Sequence, residues 1–273
     1  MLELPETYHL SKQINQMLVG KTINNVIVNY SVHKFAWLNK NIDDYHRLIN
    51  KTIKASTYHG AFLEIAIGND LLTFSDGVNL RYIEENQTTP QKHQLLLEFS
   101  DHSKLVASVQ MYGFLYLLLD GKTDNPYYLG AKSKPCPLTD EFDEAYFLKL
   151  VAQHFESKLS LKAFLATEQR IPGVGNGVIQ DILFKSQMLP KRKLTTLNEL
   201  EIKNLYQVLK TTLLKMANQG GRNTETDLLG NLGGYQTLMS NRTIDQPCPR
   251  CFSKIVKEAY LGGSVYYCPQ CQK

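Results

Sequence analysis

The sequence predicts an α+β protein with an N-terminal antiparallel β-sandwich and flanking helix, a helical second domain and a small cysteine-bearing hairpin. Three observations predict this order. Short β-rich runs, separated by Gly, Asn and Asp, fill residues 21–119. Helical periodicity returns after residue 139. Four of the five cysteines lie in residues 248–271, at the end of the chain.

The first element is a helix over residues 5–19. One apolar face is formed by Leu10, Ile14, Met17 and Leu18. Pro5 suits the first helical turn, where its missing N–H has no partner in any case, and Gly20 is a typical C-terminal stop. Glu3 then lies just before the helix, where the positive end of the helix dipole stabilises a carboxylate.

The sandwich is predicted over residues 1–121, and its strands are indicated by β-rich runs. These runs are TINNVIVNY, AFLEIAI, HQLLLEFS, KLVASVQ and FLYLLL. The polar stretch GKTDNPYYLGAKSKPCP then predicts a linker, over residues 122–138.

The helical domain is predicted over residues 139–240, and a C-terminal module follows over 241–273. Amphipathic helices are predicted for DEFDEAYFLKLVAQHF, LSLKAFLA and LNELEIKNLYQVLKTTLLKMA, with Gly220 and Gly221 ending the last.

The composition is that of an ordinary globular protein, with 43% hydrophobic and 21% charged residues. No run of eighteen apolar residues predicts a membrane-spanning helix, and the N-terminus lacks the pattern of a secretory signal. We therefore expect a cytoplasmic monomer without a membrane partner, in a compartment where thiols stay reduced.

Charge is divided unevenly along the chain. Residues 1–150 hold 14 Lys/Arg and 17 Asp/Glu, whereas residues 151–273 hold 16 and 9. A basic second half favours a polyanionic partner, with nucleic acid as the first candidate. A solvated lysine-rich surface is the alternative.

The C-terminal cysteines have the spacing of a metal site. Cys248 and Cys251 form one C-x-x-C pair, Cys268 and Cys271 form another, and sixteen residues separate the pairs. Four thiolates suit tetrahedral Zn²⁺, and the spacer can form a β-hairpin. Four protein ligands leave no open position, so the sequence predicts one structural zinc ion. Two disulfides or a redox pair are the alternatives.

A glycine-rich turn lies between two predicted helices, in RIPGVGNGVIQDILFKSQMLP. Gly173 and Gly175 allow a close backbone approach, and Asn176 is predicted to cap the following helix. The free N–H groups at such a helix start can bind a DNA phosphate. A plain helical hairpin is the alternative.

Together, the start MLELPE, the β-rich first domain, PGVGN between helices and the ending CPQCQ resemble the formamidopyrimidine-DNA glycosylase / endonuclease VIII family. The resemblance spans the whole chain. It implies a zinc finger, a helix–two-turn–helix module and a groove between the domains that holds DNA. In that family the damaged base is flipped out of the duplex and cut from its sugar, and the backbone is often cleaved as well.

The resemblance also assigns roles at the N-terminus. Glu3 and Glu6 match the family's two acids, and Glu3 maps onto the carboxylate that helps to open the deoxyribose. The family's nucleophile is a proline at position 2, exposed when methionine is removed, but this chain has Leu2 there. Bulky leucine should prevent methionine removal, so the α-amine of Met1 is the remaining amine nucleophile. We expect Glu3 to face the glycine turn across a positively lined cleft.

Three further family positions differ. A phosphate-binding lysine is replaced by Ala61, and a zinc-finger arginine by Gly263, whereas the phosphate ligand Asn176 is kept. Met111 and Tyr112 stand where an arginine and an aromatic residue fill the space of the flipped base, and they can still act as a wedge. The cations that could replace the lost phosphate ligands are the KRK at 191–193, Arg222 and Arg242.

These features predict a damaged-DNA-binding protein of base excision repair. We expect a DNA glycosylase that hydrolyses the N-glycosidic bond of a flipped lesion, with weak or no AP-lyase activity. Its partner would be double-stranded DNA with a damaged or unpaired base, in the nucleoid when bound. The alternatives are a catalytically inactive DNA-binding protein and a zinc-stabilised fold used for protein contacts.

Overall fold

The computed structural model describes all 273 residues and confirms the α+β fold class. The sheet strands are β1 (Ile23–Val28), β2 (Ala36–Trp37), β3 (Ile53–His59), β4 (Phe62–Ile67), β5 (Asp70–Ile83), β6 (Leu95–Phe99) and β7 (Lys104–Leu118). The helices are α1 (Leu4–Met17), α2 (Pro126–Lys132), α3 (Glu144–His154), α4 (Leu161–Ala166), α5 (Val178–Lys185) and α6 (Glu199–Asn218). A C-terminal hairpin is formed by β8 (Val256–Tyr260) and β9 (Gly263–Tyr267).

The first seven strands form one sheet in the order β1-β6-β7-β5-β4-β3, with antiparallel neighbours throughout. The short β2 pairs in parallel with β7, which is the one departure from an antiparallel sheet. The two ends of the strand order meet, because Thr22 and Thr52 form an antiparallel bridge. The sheet therefore folds back on itself around a single apolar core.

Strand β7 differs from the sequence prediction because KLVASVQ and FLYLLL form one strand instead of two. A β-bulge explains why the pattern is interrupted. Asp76 pairs with Gly113 and Val78 pairs with Val109, so residues 110–112 lie opposite Gly77 alone. Bulges of this kind bend a strand and redirect side chains, and they are frequent beside functional sites.

Helix α1 joins the two cores of the protein. Leu10 and Ile14 pack in the sheet core, as the periodicity of the helix predicts, whereas Leu4 packs in the core of the helical region. The N-terminal residues therefore lie where the two regions meet.

The longest helix, α6, is amphipathic. None of the helices has the length and apolar character needed to cross a bilayer.

Two glycine turns also meet at this boundary. Gly60, between β3 and β4, and Gly173 lie so close that a Cβ atom on either would come within 2.5 Å of the backbone of the other. Both have a positive φ. Only glycine allows this approach without moving the backbone, so the sheet and the glycine turn are fixed against each other here.

The predicted linker contains helix α2, which is anchored to the sheet. The Tyr128 hydroxyl donates a hydrogen bond of 2.5 Å to the Glu64 carboxylate, and His59 Nε2 lies 3.1 Å from the same group. Burial alone would raise the pKa of Glu64, but the hydrogen bonds from His59 and Tyr128 lower it to about 2. Glu64 is therefore a charged anchor for the segment that joins the two regions.

Candidate nucleic-acid interface

A groove of about 850 Å³ lies where the sheet, the glycine turn and the C-terminal hairpin converge. It collects residues that the sequence scatters over more than 260 positions. The candidate site residues along it are Met1, Glu3, Met111, Tyr112, Gly173, Gly175 and Asn176, together with the altered positions Leu2, Ala61 and Gly263. Glu6 lies behind the groove, buried against Arg222.

Both carboxylate oxygens of Glu3 are occupied. Oε1 accepts the backbone N–H of Gly177 at 2.8 Å, and Oε2 accepts that of Val178 at 2.7 Å. Glu3 therefore caps α5, which corrects the prediction that Asn176 is the N-cap. The carboxylate is favoured there because the unpaired N–H groups and the helix dipole both attract negative charge.

Glu3 and the glycine turn are in contact, so the expected cleft between them does not exist. A Cβ atom on Gly175 would lie only 2.5 Å from Glu3 Oε1. In addition, the Leu4 N–H donates a hydrogen bond of 2.9 Å to the Gly173 carbonyl. The acid and the turn therefore form a single floor of the groove instead of two facing walls.

Arg222 is a buried counter-charge behind this floor. It is 3% exposed, and its Nη2 lies 2.8 Å from Glu6 Oε2 while its Nη1 lies 3.3 Å from Glu3 Oε2. Its Nε and backbone N–H each donate to Glu6 Oε1 at 3.0 Å. Burial raises the pKa of the Glu3 carboxyl group, although Arg222 and the two helix N–H groups oppose this shift. Arg222 is thus unavailable to a phosphate, contrary to its candidacy from the sequence.

Met1 lies at one end of the groove. Its α-amine forms an ion pair with Glu225, and its carbonyl accepts a hydrogen bond of 3.2 Å from Arg222. The nitrogen of Leu2 is an amide that donates to the Asp76 carbonyl at 2.6 Å. Neither nitrogen is a free amine directed into the groove.

Asn176 contacts the C-terminal hairpin. Its Nδ2 donates to the Ser264 carbonyl at 3.0 Å, and Gln180 donates to the same carbonyl at 3.2 Å. The Gln180 side-chain carbonyl also accepts the Tyr266 N–H at 3.0 Å. The glycine turn and the tip of the hairpin are therefore joined by the side-chain amides of Gln180, in α5, and of Asn176, two residues before that helix.

The bulge in β7 projects two large side chains at the sheet side of the groove. Met111 is 65% exposed, and the half-buried ring of Tyr112 lies 5.9 Å from that of Trp37. Gly77 makes room for the bulge, since a Cβ there would lie 2.5 Å from the Tyr112 carbonyl oxygen. An exposed thioether beside two aromatic rings offers apolar surface to a nucleobase.

Lys162 is the one lysine or arginine among the side chains that line the groove. It is 3% exposed, forms a hydrogen bond to the Tyr260 carbonyl and has no carboxylate partner. Its Nζ lies 3.5 Å from where a Cβ on Gly263 would stand, and Asn176 Nδ2 lies 3.4 Å from the same point. Burial lowers the pKa of Lys162. This ammonium thus lies beside Gly263, the position at which the sequence resemblance implies an arginine.

The other candidate cations are largely engaged elsewhere. Lys191 pairs with Glu258, Arg192 pairs with Glu201, and Lys193 donates to a backbone carbonyl. Lys193 and Arg242 are both exposed and without an ion pair, and of these two Arg242 has no side-chain hydrogen bond either. Sequence reasoning did not single out Lys162, although a lone lysine in the apolar segment LSLKAFLA was a visible signal.

The four C-terminal cysteines converge, as their spacing predicts. Their sulfur atoms all lie within 4.8 Å of one another, with Cys248 and Cys271 3.8 Å apart and Cys251 and Cys268 3.4 Å apart. Thiolates around a tetrahedral Zn²⁺ are about 3.8 Å apart, since each Zn–S bond is about 2.3 Å. The donor set therefore fits a metal ion, and the cluster packs on Phe184 of α5.

Curated relatives match the chain over its whole length. Formamidopyrimidine-DNA glycosylase of Bacillus cereus (strain ATCC 10987 / NRS 248) is 27% identical, with 100% of this chain and 99% of the relative covered. The protein of the same name from Listeria monocytogenes serovar 1/2a is also 27% identical, with both chains fully covered. No family model matches the chain.

Solved structures share the fold. Lactococcus lactis Fpg in complex with abasic-site DNA superposes with a TM-score of 0.83 at 24% identity, over 99% of each chain. MutM (Fpg) from Thermus thermophilus gives a TM-score of 0.81, also at 24% identity, over 99% of this chain and 98% of the other. At this identity the likeness shows the fold.

Proposed function

The chain belongs to the formamidopyrimidine-DNA glycosylase / endonuclease VIII family, and we propose from this that it is a damaged-DNA-binding protein of base excision repair. In this proposal it hydrolyses the N-glycosidic bond of a flipped lesion in double-stranded DNA. The observation that carries the proposal is the groove, since one cavity unites the N-terminal acid, the glycine turn, the wedge and the hairpin.

In this proposal, different residues of the groove have different roles in binding DNA. Met111 and Tyr112 occupy the space that an everted base leaves in the stack. Lys162 and Asn176 hold an adjacent phosphate. Gly173 and Gly175 allow the DNA strand to approach the backbone closely, whereas the N–H groups at the start of α5 are already occupied by Glu3. Glu3 and Glu6, whose charges are balanced by Arg222, form the floor of the groove under the deoxyribose. Because its two oxygens are hydrogen-bonded to α5, Glu3 holds this floor in place and does not act as a free base.

The site favours hydrolysis over strand cleavage. A β-elimination lyase needs an amine that forms a Schiff base with the sugar. The Leu2 nitrogen is an amide, and the Met1 amine is paired with Glu225. We therefore propose that base release leaves an intact abasic strand, with Met1 as at most a minor nucleophile.

Zinc completes the interface in this proposal. Cys248, Cys251, Cys268 and Cys271 would hold one structural Zn²⁺, which when bound fixes the hairpin and supplies no reaction chemistry. The hairpin in turn sets the backbone of Gly263 and Ser264 against Lys162 and Asn176.

A base-release assay tests the proposed function. Duplexes carrying 8-oxoguanine, 5-hydroxyuracil or uracil are incubated with the protein, and half of each sample is then heated in alkali. We expect cleavage of at least one duplex only after the alkali step, and no covalent adduct on borohydride reduction. Strand cleavage without alkali, or a trapped adduct, would show that an amine nucleophile is active after all.

One observation favours the alternative of a catalytically inactive, lesion-specific DNA-binding protein. The Glu3 carboxylate has both oxygens in hydrogen bonds and a buried guanidinium at its side. Tight binding to the damaged duplexes without base release from any of them would support this alternative.

Lys162→Met tests the proposed phosphate contact. A charged hydrogen bond contributes about 1.5–3 kcal/mol, so DNA affinity should fall by roughly tenfold to a hundredfold. The slope of log affinity against log salt should decrease by about one, because one fewer counterion is released. The matched control is Lys149→Met, since Lys149 is exposed on α3, away from the groove. Equal affinity and salt dependence for both variants would exclude the contact.

A further inference from the structure

Asp76 is an acid in the groove that sequence reasoning did not single out. It lies in β5, lines the groove beside Leu2, Met111 and Tyr112, and is half-buried. Its backbone carbonyl accepts the Leu2 N–H at 2.6 Å. Asp76 is therefore fixed at the N-terminal end of the groove, between the first residues of the chain and the bulge of β7.

The backbone at Asp76 is specialised. Its φ is +59°, in the left-handed region that non-glycine residues rarely adopt, and it lies at the register shift where β5 meets the bulge of β7. A residue keeps this conformation where its surroundings impose it. The Leu2 hydrogen bond and the tight contact of Gly77 on Tyr112 impose it here.

The side chain of Asp76 is free, in contrast to that of Glu3. The Asp76 carboxylate forms no hydrogen bond or ion pair; burial raises its pKa, and the N-terminal amine opposes that shift. Both oxygens of Glu3 instead accept hydrogen bonds from the backbone at the start of α5, and Arg222 lies beside them. A carboxylate that is partly desolvated and has no partner is suited to accept a proton.

We propose that Asp76, not Glu3, is the carboxylate that activates water for base release. The inference rests on the proposed glycosylase function. Asp76 takes a proton from a water molecule, whose oxygen forms a bond to C1′ of the deoxyribose. The C1′–N bond breaks, and its electron pair leaves with the base. Protonated Asp76 then returns the proton to the base nitrogen, so the products are the free base and an abasic site.

The test compares base release with DNA binding in the same variants. Asp76→Asn keeps the size of the side chain, and Asp76→Gly suits the positive φ, so both should fold. Single-turnover base release should fall about a hundredfold to ten-thousandfold in each. Affinity for a duplex with a tetrahydrofuran abasic-site analogue should stay within about twofold, since no phosphate contact is removed. Asp124→Asn, at an exposed linker position, is the control.

Each outcome decides between the two proposals. Loss of base release with retained tetrahydrofuran binding supports Asp76 as the catalytic residue. Base release at wild-type rates in either variant overturns the role of Asp76 but leaves the glycosylase function standing. Loss of both release and binding assigns Asp76 a structural role and overturns the proposal. A wild-type protein that releases no base from any of the three lesions refutes the glycosylase function and this role with it.

Discussion

Arg222→Met should destabilise the protein by about 3–5 kcal/mol, the usual cost of removing one partner from a buried ion pair. The substitution keeps much of the side-chain volume but leaves Glu3 and Glu6 buried without the guanidinium that contacts both. Chemical denaturation measures the effect as a lower free energy of unfolding. The matched control is Arg242→Met, which removes an exposed arginine without an ion pair and should change little.

The loss of stability in Arg222→Met should also depend on pH. Without Arg222, burial holds the pKa of Glu3 above its value in the unfolded chain, so the folded variant takes up protons that the unfolded chain does not. The stability of Arg222→Met should therefore rise as pH falls from about 8 to about 5. Adding Glu6→Gln should recover part of the loss, because one uncompensated charge is removed. A variant as stable as the wild type at every pH would refute the buried charge cluster.

Cys248→Ser should release the metal and abolish specific DNA binding. The binding free energy of a structural zinc ion contributes directly to folding, about 10–16 kcal/mol in zinc-finger peptides, and the hairpin has only a small apolar core of its own. Elemental analysis should find about one zinc per chain in the wild type and much less in the variant. Cys136→Ser, outside the cluster, is the control and should keep both zinc and binding. A wild-type protein without zinc would contradict the proposed metal.

Much of the fold could be predicted because its signals are local. The apolar face of α1, the long amphipathic α6 and the C-x-x-C pairs depend on neighbours along the chain. The sequence did not indicate that β7 is one strand, because its bulge is stabilised by Gly77 on another strand. Strands β3 and β5 lacked a clear apolar run, and the parallel pairing of β2 depends on tertiary contacts.

The site was less predictable because it depends on contacts between residues that lie far apart in the sequence. The resemblance indicated Glu3 and Asn176 as functional positions but not that the Glu3 carboxylate, 174 residues away, caps α5. From the sequence, Arg222 is expected to be a surface cation, but in the fold it is buried and neutralises Glu3 and Glu6. No local pattern distinguishes Asp76 from other turn-forming aspartates. Its significance comes from the groove around it.

We expect the groove to receive a nucleotide turned out of duplex DNA. The most direct measurement is fluorescence anisotropy with a tetrahydrofuran-containing duplex and the intact duplex of the same sequence, at one salt concentration. An abasic analogue leaves the helix without the few kcal/mol that unpairing a normal base costs. We therefore expect its affinity to be tighter by about tenfold to a hundredfold. Equal affinity for the two duplexes would contradict the claim.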